Sequence, residues 1–261
     1  MLTTDTIPEH VRQRATKVLG VSSRRLERGQ GEAMLFLHGA AGLTGWLPFF
    51  SELSMHWRLL VPEHPGFGLS PRPDWITSIS DLASYYERYV EDLGPVHLVG
   101  SSFGGWLASE LALRTPALVR SLTLIAPAGM RPRMPGSGIG SLPTREARVR
   151  RLYFDQRLAD AALTQEPSGQ QLQVEERNWK TTALLGGATF HNPNLATRVG
   201  RIKKRSLLLW GRQDAVIAFD QASNWLEALP QSEVAAFDEC GHLPHVEKTQ
   251  AAAEAVVRFL S

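Results

Sequence analysis

Ser102 lies in Gly100-Ser101-Ser102-Phe103-Gly104-Gly105, a G-x-S-x-G spacing. A serine hydroxyl becomes a useful nucleophile only when a base removes its proton and a further group orients that base. Later segments supply both residue types: Asp214 closes Trp210-Gly211-Arg212-Gln213-Asp214, and His242 follows Gly241, with His245 three residues on. Read as a relay, His242 takes the Ser102 proton, and Asp214 fixes the imidazole tautomer and stabilises the imidazolium. Asp238 and Glu239 stand too near His242 in sequence to reach around its ring, and the segment Ala126-Pro127-Ala128 offers no acid. Negative charge developing on a substrate oxygen also needs donors. The small residues of His38-Gly39-Ala40-Ala41-Gly42 let backbone approach a substrate closely. The N–H groups of Ala40 and Phe103 are therefore the expected oxyanion hole, each worth about 3 kcal/mol of transition-state stabilisation. His38 is expected to hold that loop in place.

These residues need a frame that brings distant segments together. Met34–Leu37 is a short apolar run, and similar runs occur at 58–61, 96–99, 122–125, 207–210 and 234–237. Such runs suit strands buried on both faces of a parallel sheet. Residues 16–28 read as an antiparallel addition to its edge. Helix-like segments lie between the runs: 80–93, opened by Asp81 and closed by Gly94-Pro95, then 104–114, 221–229 and 249–260. The alternation predicts an α/β fold, a mostly parallel central sheet flanked by helices, with functional loops at the carboxyl ends of the strands. Ser102, Asp214 and His242 each follow such a strand. The rhythm breaks between 129 and 201. There a Pro/Gly-rich stretch, Arg131 to Gly138, precedes helical material over 144–163 and 170–185. We therefore expect a catalytic α/β core of residues 1–128 and 202–261, and a helical cap or lid of residues 129–201. The first cap helix carries Arg145, Arg148, Arg150, Arg151 and Arg157, expected to form a solvated outer face.

The remaining composition narrows the function classes. The 261 residues are 43% hydrophobic and 21% charged, and the formal net charge of +2 gives no reason to expect a nucleic-acid partner. A single cysteine, Cys240, excludes an intramolecular disulfide and is expected to be a buried, inert thiol. There is no Cys/His cluster with zinc spacing, and no metal or other cofactor is expected. No apolar run is long enough to span a bilayer and the first twenty residues lack a signal-like apolar region, so a cytoplasmic protein, monomeric or homodimeric, is expected.

Taken together, the elbow, the Ser, Asp, His chain order and the segments Glu63-His64-Pro65-Gly66-Phe67-Gly68-Leu69-Ser70 and Gly241-His242-Leu243-Pro244-His245-Val246-Glu247 resemble the α/β-hydrolase superfamily over nearly the whole chain. The resemblance favours His242 over His245 as the base. It implies a serine hydrolase acting on a small-molecule ester or other acyl compound, similar to carboxylesterases and lactonases. It also reaches the hydrolases that cleave a carbon–carbon bond in meta-cleavage products, although Ser101 and Leu243 replace the Asn and Trp usual there. A pocket cation for the substrate carboxylate would favour that alternative, with Arg131, Arg133 and Lys180 as sources. The expected walls of an apolar pocket are Leu43, Trp46, Trp106, Met130, Val216 and Leu243, with Trp179 and Phe190 from the cap.

Overall fold

The computed structural model describes residues 7–131, 142, 144–164 and 166–261. Eight strands form one sheet: β1 (Arg12–Val18), β2 (Val21–Arg28), β3 (Ala33–Leu37), β4 (Arg58–Pro62), β5 (Val96–Ser101), β6 (Val119–Ile125), β7 (Ser206–Gly211) and β8 (Ser232–Phe237). Their order is β1-β2-β4-β3-β5-β6-β7-β8. The β1/β2 and β2/β4 pairs are antiparallel and every other pair is parallel. This is the mostly parallel sheet with an antiparallel edge that the run pattern predicts.

Successive side chains of a strand point to opposite faces. Leu35 and Leu37 of β3 accordingly pack into one apolar layer, and Met34 and Phe36 into the other. The first layer is closed by α2 (Ile79–Leu93), α3 (Phe103–Arg114) and α8 (Gln221–Ala228), through Leu82, Tyr85, Tyr86, Leu107, Leu111 and Trp225. The second is closed by α1 (Pro48–Leu53) and α10 (Thr249–Leu260), through Phe49, Phe50, Ala252, Val256 and Phe259. Helix α2 starts where Ser78 and Asp81 form a reciprocal cap and stops at Gly94, whose φ of 86° lies in the region open to glycine. Strand order reverses between β3 and β5, and the loops after these two strands carry Gly39–Leu43 and Ser102. A crevice at such a switch point, beyond the carboxyl ends of the strands, is where α/β sheets bind ligands.

Between β6 and β7 lie α4 (Arg145–Leu152), α5 (Gln156–Thr164), α6 (Gly169–Gly186) and α7 (Leu195–Val199). The single helix expected over 144–163 is in fact two. Tyr153 is extended, with φ −113° and ψ 140°. The N–H groups of Phe154 and Asp155 donate to the Glu247 carboxylate at 2.8 and 3.0 Å instead of continuing the helical ladder. Asp155 then caps α5 by accepting from Arg157 N–H. The short helices α1, α7 and α9 (Pro244–Glu247) were not legible as periodic segments, being four to six residues long. Among the described residues no helix is long and apolar enough to cross a membrane.

Candidate active site

Ser102 occupies the turn between β5 and α3, with φ 52° and ψ −114°. A non-glycine residue at positive φ is strained by about 1–3 kcal/mol and persists only where its surroundings over-determine it. Here they do. Ser102 N–H donates to Ile125 O at 2.8 Å, and its carbonyl accepts from Gly105 and Ala128 at 2.9 and 3.0 Å. A Cβ at Gly104 would sit against the carbonyl oxygens of Leu37 and His38, and one at Gly100 against the carbonyl of Gly104. The glycines flanking the serine are thus demanded by the close approach of β3, the elbow and α3. Phe103 is the first residue of α3, so its N–H has no earlier helical carbonyl to reach and is available to a ligand.

His242 and Asp214 meet across the ends of β7 and β8. His242 Nδ1 donates to Asp214 Oδ2 at 2.8 Å, and both side chains are almost fully buried. Asp214 Oδ1 accepts from Val216 N–H at 2.8 Å and Ile217 N–H at 2.9 Å, so this dry carboxylate has three N–H donors. With Nδ1 held by the carboxylate, Nε2 is the ring nitrogen left to exchange a proton. The backbone of His242 is fixed from the other side, where its N–H donates to Leu152 O at the end of α4 at 2.8 Å. His245, the alternative imidazole, packs between Phe36 and Phe49. Burial lowers its pKa to about 3, so it is neutral at ordinary pH.

His38 is a fixture of the loop after β3. His64 N–H donates to His38 Nε2 at 3.0 Å, which makes Nε2 an acceptor and puts the His38 proton on Nδ1, facing Gly39 O at 2.8 Å. His64 Nε2 then donates to His38 O at 3.1 Å, and His64 Nδ1 accepts from Tyr86 Oη at 2.6 Å. Burial lowers the His38 pKa to about 4 and the His64 pKa well below its usual value, so this pair stays neutral. Asn178 of α6 holds the same region from above. Its amide donates to Ala41 O at 2.8 Å and its oxygen accepts from Gly68 N–H at 2.8 Å.

Ser102, His242, Gly39 and Ala40 open onto one cavity of about 490 Å3 between these loops and helices α4–α6. Of the expected walls, Leu43, Val216, Leu243 and Trp179 line it. The other four lie elsewhere, and the reason in each case is packing. Trp46 turns into the second core layer, donating Nε1 to Ser51 Oγ at 2.9 Å beside Phe50. Trp106 points from α3 into the first layer, with Gly129 against its ring. Met130 is buried in that layer and edges a separate shallow depression. Phe190, 38% exposed, covers the Phe103 and Trp106 rings from outside. Neither described cation proposed for a substrate carboxylate faces the cavity: Arg131 lines the separate depression and Lys180 pairs with Glu176 on the surface. Arg133 lies outside the described residues. Cys240 is buried, and burial pushes its thiol up to about 12, which fits an inert role. The sequence reading missed Phe36, Phe50, Arg148, Val149, Leu152 and His245, all on the cavity wall. The signal that could have found three of them is the spacing of Arg145, Arg148, Val149 and Leu152, one face of a helix.

The model of the Alpha/beta hydrolase family matches residues 34–258, and the chain belongs to that family. Among curated relatives, the chain is 28% identical over 243 residues to a dihydrolipoyllysine-residue acetyltransferase component of an acetoin cleaving system from Cupriavidus necator, covering 88% of this chain and 64% of that longer protein. It is 27% identical over 270 residues to a 2-hydroxy-6-oxononadienedioate/2-hydroxy-6-oxononatrienedioate hydrolase from Comamonas testosteroni, covering 93% of each. A solved meta-cleavage product hydrolase from Pseudomonas fluorescens IP01 superposes with a TM-score of 0.81 at 19% identity, covering 97% of this chain and 98% of that one, which shows a shared fold. The chain is thus an enzyme of the hydrolase class with an eight-stranded α/β-hydrolase core.

Proposed function

We propose that this chain is a serine hydrolase that cleaves a small carboxylic ester or related acyl compound through an acyl-enzyme on Ser102. The observation that carries the reading is the buried His242–Asp214 pair opening onto the same cavity as the strained Ser102 turn. In this reading His242 Nε2 takes the hydroxyl proton as Ser102 Oγ attacks the substrate carbonyl. The N–H groups of Ala40 and Phe103 hold the oxyanion. His242 then gives its proton to the departing alcohol, and the acyl group remains on Ser102. A water, deprotonated by the same nitrogen, attacks the acyl carbonyl and releases the acid with Ser102 restored. Residues 129–201 act as the cap over this cavity, and residues 1–128 and 202–261 as the catalytic core.

A second reading keeps the site and changes the bond: cleavage of a carbon–carbon bond in a vinylogous diketone acid. It is favoured by the 27% identity, over 93% of the chain, to the dienedioate hydrolase of Comamonas testosteroni. Ser101 and Leu243, where that group usually has Asn and Trp, weigh toward the ester.

The test uses purified protein beside Ser102→Ala, with p-nitrophenyl esters of short to medium acyl chains and one meta-cleavage dienoate. Fast ester cleavage that disappears in Ser102→Ala supports the first reading. Preference for the dienoate selects the second. Ester cleavage undiminished in Ser102→Ala, together with no labelling of Ser102 by a fluorophosphonate, refutes both.

A further inference from the structure

The five arginines of 145–157 do not share one environment. Arg150 turns outward to Glu146 and Asp160, at 2.8 and 2.9 Å, and Arg157 to Asp155 at 2.7 Å. Arg151 donates to Ala215 O at 2.7 Å. Arg145, Arg148, Val149 and Leu152 instead line the cavity, three, four and seven residues apart, as one face of α4 must be. Arg145 is neutralised there by Glu175 at 3.1 Å.

Arg148 is different. It is half-buried, donates one N–H to Leu142 O at 3.1 Å, and holds its guanidinium carbon 5.6 Å from the centre of the Trp179 ring. Among the described residues it has no carboxylate within ion-pair distance, and residues 132–141 and 143 contain no Asp or Glu. A guanidinium has five N–H donors in a planar fork matched to a carboxylate, so most of its capacity is uncommitted. The cavity around it is largely apolar, which strengthens attraction for an anion relative to water.

We propose that Arg148 is an anion subsite, taking a carboxylate at the end of the substrate remote from the scissile bond. The proposal rests on the ester reading for the identity of that bond; the carbon–carbon alternative, for which a cavity cation is the expected mark, would set its own substrate's carboxylate on the same guanidinium. Leu152, whose carbonyl anchors the His242 backbone, is one helical turn further along, so Arg148 stands about 6 Å along the axis from the catalytic end of α4. The acyl group that fits carries its charge several bonds from the reacting carbonyl, as in a half-ester of a medium-length dicarboxylic acid. Trp179 flanks the charged end, and Val149 and Leu152 line the path of the methylene chain.

The test compares p-nitrophenyl half-esters of adipate and suberate with p-nitrophenyl hexanoate and octanoate, which match them in length without the charge. The parent is expected to prefer the half-esters. Arg148→Gln is expected to lower their kcat/KM by about tenfold or more, chiefly through KM, and to leave the neutral esters within about twofold. Arg148→Lys, which keeps the charge without the fork, is expected to recover part of the loss. A parent without preference, or an equal loss on charged and neutral esters, overturns the subsite. Calorimetric titration of the parent and Arg148→Gln with suberate and octanoate gives a reading independent of turnover. Tighter suberate binding that disappears in Arg148→Gln keeps the subsite even where esters are not cleaved, in which case only the ester reading fails. Suberate bound no more tightly than octanoate overturns it.

Discussion

Replacing Asp214 by Asn changes one oxygen to an amide nitrogen and leaves the volume unchanged. In the native site Oδ1 accepts from Val216 and Ile217 N–H while Oδ2 accepts from His242 Nδ1 at 2.8 Å. The two backbone donors decide how an asparagine would sit: its oxygen must face them, which turns its NH2 toward His242 Nδ1. A donor at that position is met only if Nδ1 becomes the acceptor, so the ring proton moves to Nε2. In the proposed mechanism that is the nitrogen that receives the Ser102 proton, and the base is lost in most molecules. The imidazolium formed during attack also loses a buried negative neighbour. Loss of this orienting carboxylate in a Ser-His-Asp site lowers kcat by about ten-thousand-fold, which corresponds to roughly 5 kcal/mol at about 1.4 kcal/mol per tenfold. The assay is p-nitrophenyl ester turnover of the parent and Asp214→Asn at neutral pH, with thermal unfolding of both as a control. Because the amide preserves the two backbone hydrogen bonds, Tm should move by only a few degrees. A variant that folds normally and keeps activity within about tenfold of the parent would refute the reasoning, since another group would then have to orient His242.

The carboxylate of Glu247 accepts from Gly241 N–H at 2.7 Å and from Phe154 and Asp155 N–H, so it ties the His242 loop to the α4–α5 junction. In Glu247→Gln one end of the side chain must present a donor to a donor, at about 1–3 kcal/mol, and both Tm and kcat should fall; an unchanged Tm in a melting experiment would contradict this. Gly104→Val places side-chain atoms against the Leu37 and His38 carbonyls, and neither soluble expression nor fluorophosphonate labelling of Ser102 should survive, as gel analysis of labelled lysate would show. Acid should destabilise the protein in a defined window. His38 binds its proton with a pKa of about 4 in the fold and about 6.5 in the unfolded chain, so the unfolded state binds more protons between these values and stability falls as pH drops through them. The contribution of this one group is roughly 3 kcal/mol, complete below about pH 4. Urea unfolding from pH 8 to 4 should show a falling midpoint that His38→Asn partly flattens, and a midpoint constant across this range would exclude the linkage.

What the sequence determined was local. The G-x-S-x-G turn, the Asp214 and His242 segments and the apolar runs of the central strands each depend on residues within a few positions of one another, where backbone sterics and side-chain alternation act directly. Those signals were sufficient for the sheet, its flanking helices and the three polar residues of the candidate site. The cavity wall was decided at longer range. Trp106 and Trp46 neighbour the loops of the candidate site in sequence, yet pack into the two core layers, because burying a large ring against the sheet outweighs leaving it in a cavity. The break between α4 and α5 depends on Glu247, which lies more than ninety residues away in sequence. That break gives α4 its own axis, with the Leu152 carbonyl on the His242 backbone and Arg148 in the cavity. A row of arginines therefore reads as a uniform solvated face in sequence and divides only in the fold, into Arg150, Arg151 and Arg157, held by partners outside the cavity, and Arg145 and Arg148, which line it. Composition sets how many charges a helix carries, and the partner carboxylates and apolar walls that decide which of them face water are brought together only by tertiary packing.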